Sequence, residues 1–148
     1  MLSTNVNIES WKAYMTNEGE LIETEIADFW MDGDVVYIKF KPTTRHSIEE
    51  AHLVVNIHNQ LSNGKKTPVL ADLRGITTGA DRKARKYYVG EKSSEFKLGM
   101  AMLVTSPFQR MLGNIFLALG SPPYPTKLFE TENAGLEWLA GLGSSGDL

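Results

Sequence analysis

The chain has 148 residues, 42% of them hydrophobic and 22% charged, with a net charge of −3 at neutral pH. This length supports one domain with a substantial core, and the acidic balance argues against non-specific nucleic-acid binding as its task. There is no cysteine, which excludes disulfides, thiolate catalysis and cysteine-ligated metal.

The opening MLSTNVNIESWKAYM lacks a basic segment followed by an apolar core, so no signal peptide is expected. No apolar run approaches ~20 residues, so no transmembrane segment is expected either. These features together place the protein in the cytoplasm. Residues 1–19 read as a loose arm, with a helical turn around Glu9–Met15 and Trp11 as a candidate interface anchor. Residues 20–142 read as the folded domain and 143–148 (GSSGDL) as a flexible tail.

Leu21–Met31 and Val35–Phe40 read as two strands joined at Asp32-Gly33, a strong turn signal that predicts an antiparallel hairpin. Ser47-Ile48-Glu49-Glu50 is a capping box. The helix that it opens runs to about Ser62, with Ile48, Ala51, Val55 and Leu61 on one stripe and Val54 beside it, and Asn63-Gly64 stops it. His46, His52 and His58 are spaced by six. On a helix this sets successive side chains about 240° apart, so they do not converge on a metal, and surface or half-buried histidines are expected.

Thr67–Tyr88 (TPVLADLRGITTGADRKARKYY) is the stretch around which the rest is arranged. Its short apolar run suits a strand covered on both faces. Thr77 or Thr78 can cap the helix that follows, and Asp81 brings a carboxylate to its N-terminus. The helix presents Ala80, Ala84, Tyr87 and Tyr88 inward and Arg82, Lys83, Arg85 and Lys86 outward. Neither a GxxxxGK[ST] nor a GxGxxG pattern is present.

Leu98–Val104 is a second buried strand. Ser106-Pro107 starts a helix whose stripe is Phe108, Met111, Leu112, Ile115, Phe116 and Leu119. Gly113, Asn114 and Leu117 lie off that stripe, where small residues allow another surface to approach. Thr126–Glu130 is a short strand, and Thr131 caps a last helix through about Leu142 that buries Ala134, Trp138 and Leu142. The order β-β-α-β-α-β-α-β-α predicts an α/β domain with a mixed, mostly parallel sheet and an N-terminal antiparallel hairpin.

This order, with its hairpin first, resembles the STAS domain of anti-sigma-factor antagonists. More closely, the chain resembles the bacterial proteins grouped as STAS-like or STAS/CRAL-TRIO-like. Two stretches carry the likeness, Ala71–Tyr88 and the closing run from Ala101 to Leu139 (AMLVTSPFQRMLGNIF…PTKLFETENAGLEWL). With Asp72-Leu73 as anchor, the family's phosphoacceptor serine falls on Asp81 and the aspartate before it on Ala80. A carboxylate accepts no phosphoryl group by Ser/Thr kinase chemistry, though at a helix N-terminus it imitates part of a phosphoserine's charge. The resemblance therefore implies a regulatory module without a working phosphoserine switch.

Three functions follow as expectations. The first is a non-enzymatic module that binds a protein partner through Arg74, Thr77, Thr78, Asp81, Arg82, Arg85, Lys86 and Tyr88. The second, implied by the CRAL-TRIO likeness, is a carrier of a small apolar or lipid-like ligand among Met100, Met102, Leu103, Met111, Leu112, Phe116 and Leu117. The third is an enzyme, which the absence of a cysteine nucleophile, histidine pair, G-x-S-x-G or phosphate loop makes the least favoured. No catalytic residue, metal or cofactor is expected. Self-association is expected through Trp11, Trp30 or the face of Gly113, Asn114 and Leu117.

Overall fold

The computed structural model describes residues 21–118 and 122–146. The arm expected over residues 1–19, with Trp11, and the end of the expected tail lie outside the described residues. Six strands form one sheet in chain order: β1 Ile22–Glu23, β2 Ala27–Asp32, β3 Val35–Phe40, β4 Thr67–Asp72, β5 Lys97–Leu103 and β6 Thr126–Phe129. The helices are α1 Ile48–Ser62, α2 Arg82–Tyr88, α3 Glu91–Ser94, α4 Pro107–Ala118 and α5 Glu132–Gly146. β1, β2 and β3 pair antiparallel, and β3 to β6 pair parallel. The mixed α/β sheet matches the reading from sequence, with β1 and α3 added.

The added strand comes from a turn that the pattern does not mark. Leu21–Met31 reads as one strand, but Thr24 folds it back. Its Oγ1 donates to the Ala27 carbonyl at 2.7 Å and accepts from the Ala27 N–H at 3.1 Å. This sets Ile22 opposite Phe29. The expected turn at Asp32-Gly33 forms, with Gly33 in the left-handed region at φ 62°.

The pleat sorts the core into two faces. Val36, Ile38, Phe40, Val69, Ala71, Met100 and Met102 face α1, α2 and α4. Tyr37, Leu70, Ala101 and Leu103 face α5, chiefly Leu139. β4 lies inside the sheet and is buried from Thr67 to Ala71. Pro68 is accommodated there because the β4–β5 register shifts at that point.

α1 begins as predicted, with Glu50 accepting from the Ser47 backbone N–H at 2.8 Å. Its buried stripe is rotated from the expected one, to Ala51, Val54, Val55, His58 and Ser62, with Ile57 beside it. The two polar members are inside because they satisfy each other and β4: Ser62 Oγ lies 3.3 Å from His58 Nε2 and 2.9 Å from Thr67 Oγ1.

α4 departs further. Leu112 and Phe116 pack on the core, but Phe108, Met111 and Ile115 are 42%, 48% and 36% exposed. Leu119 lies outside the described residues. Gly113, expected to admit a second copy, is buried instead: a Cβ there would lie 2.7 Å from Leu128 Cδ2. The missing side chain lets α4 settle on β6 of its own sheet. Leu117 likewise packs on the core, while Asn114 is exposed. Gly113→Val is expected to lift α4 and cost about 1–3 kcal/mol of stability, read as a lower urea midpoint. An unchanged midpoint would mean that Leu128 yields at no cost.

α5 buries Gly135 and Leu139 rather than Ala134. A Cβ at Gly135 would lie 3.1 Å from Leu70 Cδ1 and 3.3 Å from Ala101 Cβ, so the helix lies against the sheet at that glycine. It continues to Gly146, past the Leu142 expected as its end. Glycine and serine weaken a helix without ending it, and no proline follows Pro125.

Candidate functional site

Beyond β4 the chain turns back under its own polar groups. Arg74 donates to Asp72 through Nε and Nη2, both at 2.9 Å, and this contact helps hold the Asp72 carboxyl below its ordinary range against the effect of burial. Arg74 is thus exposed but engaged on its own strand end. Thr77 does not cap α2. Its Oγ1 accepts from the Thr43 N–H and donates to the Thr43 carbonyl, both at 3.2 Å, tying this loop to the one after β3.

Asp81 is the cap. Its backbone N–H donates to the His46 carbonyl at 2.9 Å, and its exposed carboxylate accepts from the Ala84 N–H at 2.9 Å. With that N–H held outside, the helix starts at Arg82, later than expected. Arg82, Lys83 and Lys86 are exposed on the outer face of α2.

Two residues expected to meet a partner turn inward. Tyr88 packs on the core, and its hydroxyl lies 2.6 Å from His46 Nε2. Burial, then Glu50, pushes its phenol well above the ordinary range. Arg85 is half-buried and donates through Nη1 to the Ala80 carbonyl at 2.7 Å. Aromatic and guanidinium stems this close to the sheet gain more from burial than from water.

Both line a cavity of about 120 Å³ between the sheet and the α1, α2 and α4 layer. Its apolar wall includes Ile38, Ala71, Met100, Met102, Leu112 and Phe116. Four of the side chains expected to hold an apolar ligand are among these. Leu103 is on the opposite face of the sheet, under α5, and Met111 points to solvent. Leu117 packs on the core but is not part of the wall. The lining residues that keep some surface, Gly79, Ala80, Arg85, Tyr88, Leu112, Ile115 and Phe116, fall on the β4–α2 loop, α2 and α4. The mouth therefore lies between that loop and α4. It is narrow, since a Cβ at Gly79 would come within 2.7 Å of Leu112 Cδ2.

The polar lining is cationic or donating. Arg85, Lys97, His46, Tyr88, Tyr124 and Ser93 contribute to it, and no carboxylate does among the described residues. His46 Nδ1, Arg85 Nε and Tyr124 OH are buried without a hydrogen-bond partner among the described residues. His46 and Tyr124 are only 5% and 6% exposed. Burial lowers His46 to about 4, against opposing effects of Glu50 and Asp81, and raises Tyr124. Lys97 donates through Nζ to the Ser93 carbonyl and hydroxyl, and burial lowers it to about 7.

His46, Lys97 and Tyr124 were not readable as site residues. Lys97 ends a polar stretch and Tyr124 sits among prolines, patterns that ordinarily mean solvent. The histidines do not act together. His46 meets Tyr88, His52 packs edge-on to Tyr87 with ring centroids 4.4 Å apart, and His58 is buried beside Asn59 and Ser62. Two of the three, His46 and His58, are buried, against the expectation of surface or half-buried rings. Among the described residues, no group of three or more His, Asp or Glu is placed to hold a metal, and no helix is long and apolar enough to cross a membrane.

No curated protein matches this sequence. Among solved structures, the chain is similar to an uncharacterized protein of the DUF3478 family with a SpoIIAA-like fold from Shewanella loihica PV-4. The TM-score is 0.55 and the identity 16%, over 76% of this chain and 91% of that one. At that identity the likeness is one of fold, and the fold is the STAS-like one that Ala71–Tyr88 and Ala101–Leu139 resemble. The chain belongs to the family described as a domain of unknown function, DUF7793, whose model matches residues 29–142.

Proposed function

We propose that this domain is a non-enzymatic cytoplasmic binding module that holds a small, mostly apolar ligand in the cavity beneath α4. The supporting observation is the cavity itself: an apolar chamber with a mouth, carrying three buried polar atoms that nothing in the described chain satisfies. Apolar chambers with a few placed polar groups are the usual form of small-molecule sites. The test is a titration of methyl-¹³C-methionine protein with toluene. The ε-methyl signals of Met100 and Met102, which line the cavity, are expected to shift while that of Met31, which does not, stays in place. Signals unmoved by toluene and by polar single-ring analogues alike, each up to its solubility, would remove this reading.

A second reading is a regulatory protein-interaction module like the anti-sigma-factor antagonists. It is supported by the exposed Phe108, Met111 and Ile115 on α4, and by the exposed Asp81, Arg82 and Lys86 on α2. Exposed clusters of large apolar side chains mark contact surfaces. The occupant is a protein partner, with a second copy of the chain as the competing outcome. A partner recovered with the wild type and lost with both Met111→Glu and Asp81→Lys supports it. Concentration-dependent dimerisation lost in Met111→Glu points instead to the second copy.

A further inference from the structure

Resting on the cavity reading above, we propose that the ligand is a small monocarboxylate, aromatic or short and branched, whose anionic end is held by Arg85 and Tyr124 while its apolar body fills the space between Met100, Met102, Leu112 and Phe116.

Size comes first. An apolar cavity of about 150 Å³ holds one benzene molecule. The chamber here is about 120 Å³, smaller than that, so one six-membered ring or a short branched chain is the most it takes. A long acyl chain does not fit, which narrows the lipid-like ligand expected from the resemblance to something much smaller.

Charge comes second. Two basic side chains, Arg85 and Lys97, line the chamber and no carboxylate among the described residues does. The acids that His46 feels, Glu50 and Asp81, are engaged at the starts of α1 and α2. A guanidinium whose buried Nε–H is left free is costly, and a planar carboxylate is the group its geometry matches best.

The third argument is the free hydrogen-bonding capacity. Arg85 uses Nη1 on the Ala80 carbonyl and keeps Nε buried without a partner among the described residues. The Tyr124 hydroxyl is in the same state. Both donate to an acceptor oxygen. His46 Nδ1 can do so as well when its Nε2 accepts from the Tyr88 hydroxyl. An amide or alcohol end group offers a neutral oxygen, but only a carboxylate also answers the excess positive charge.

Benzoate, benzamide and toluene share one ring and differ in the end group, so the full chain titrated with each separates the arguments. Benzoate is expected to shift the Met100 and Met102 methyl signals with an affinity at least tenfold above those of benzamide and toluene. Arg85→Met is expected to reduce the benzoate affinity at least tenfold and to change that for toluene less than twofold. Arg85→Lys is expected to recover part of the loss. Toluene or benzamide binding as well as benzoate to the wild type overturns the carboxylate assignment and leaves the cavity reading intact. An equal loss of benzoate and toluene in Arg85→Met gives Arg85 a structural role only and also overturns it. If none of the three moves those signals, the chamber belongs to water and both readings fall.

Discussion

Replacing Lys97 by methionine is expected to stabilise the protein by about 3 kcal/mol or more at pH 6 and by less than about 1 kcal/mol at pH 10. Lys97 opens a strand and is only 6% exposed. Burial lowers it from its ordinary 10.5 to about 7. The two Ser93 acceptors favour the ammonium but do not replace the water it has lost. A shift of this size corresponds to about 5 kcal/mol against the charged form, part of which the methionine forfeits with the Ser93 bonds. The sign follows from proton counts. Between pH 7 and 10.5 the unfolded chain carries a proton on Lys97 that the folded chain lacks, so wild-type stability rises with pH across that window. The full contribution is present above 10.5 and is lost as the pH falls toward 7. Urea titrations of both proteins at pH 6, 8 and 10 measure it. Parallel stability curves would show that Lys97 reaches water.

What could be read from the sequence was what local chemistry determines. The capping box at Ser47, the turn at Asp32-Gly33 and the Ser106-Pro107 start to α4 each need only neighbouring residues, and each forms. Strand order also followed, because alternating strands and helices leave few ways to connect a parallel sheet. The misses share one cause, which is that distant packing chose among locally equivalent options. Thr24 turns a strand by bonding Ala27, with no glycine or proline to announce it. Leu128 decides that Gly113 serves the interior. α4 presents Leu112 and Phe116 to the sheet but leaves Phe108, Met111 and Ile115 outside, because two rows of apolar residues compete for one contact. The cavity was the least legible part. Its polar lining comes from the loop before α1 (His46), α2 (Arg85), α3 (Ser93), the start of β5 (Lys97) and the segment before β6 (Tyr124). No spacing in the chain joins them.

Those buried bases also set how the fold responds to acid. The protein is expected to lose about 5 kcal/mol between pH 6.5 and 4.5 through His46 and His58 alone. Burial lowers His46 to about 4 and, with help from the Lys97 charge, lowers His58 to about 3. Below their ordinary 6.5 both rings take up protons in the unfolded chain and remain neutral in the folded one, so stability falls with pH through this window. Native domains commonly have only about 5–15 kcal/mol in total, so the acid midpoint is expected near pH 4 to 5. Asp72, Glu49 and Glu50 are also lowered, but their loss comes at more acid pH and leaves the upper window to the histidines. His58→Gln keeps a polar side chain beside Asn59 and Ser62 and is expected to move the midpoint down by about one pH unit. The two sites are coupled, because Lys97 sits close enough to act on His58. In Lys97→Met that repulsion is gone, His58 rises toward its ordinary value, and less stability is lost by pH 4.5. ¹H–¹³C spectra of the imidazole rings decide the matter. The His46 and His58 rings are expected to show no titration from pH 8 to 5 in the folded wild type, and ordinary titration of both in that range would remove the account.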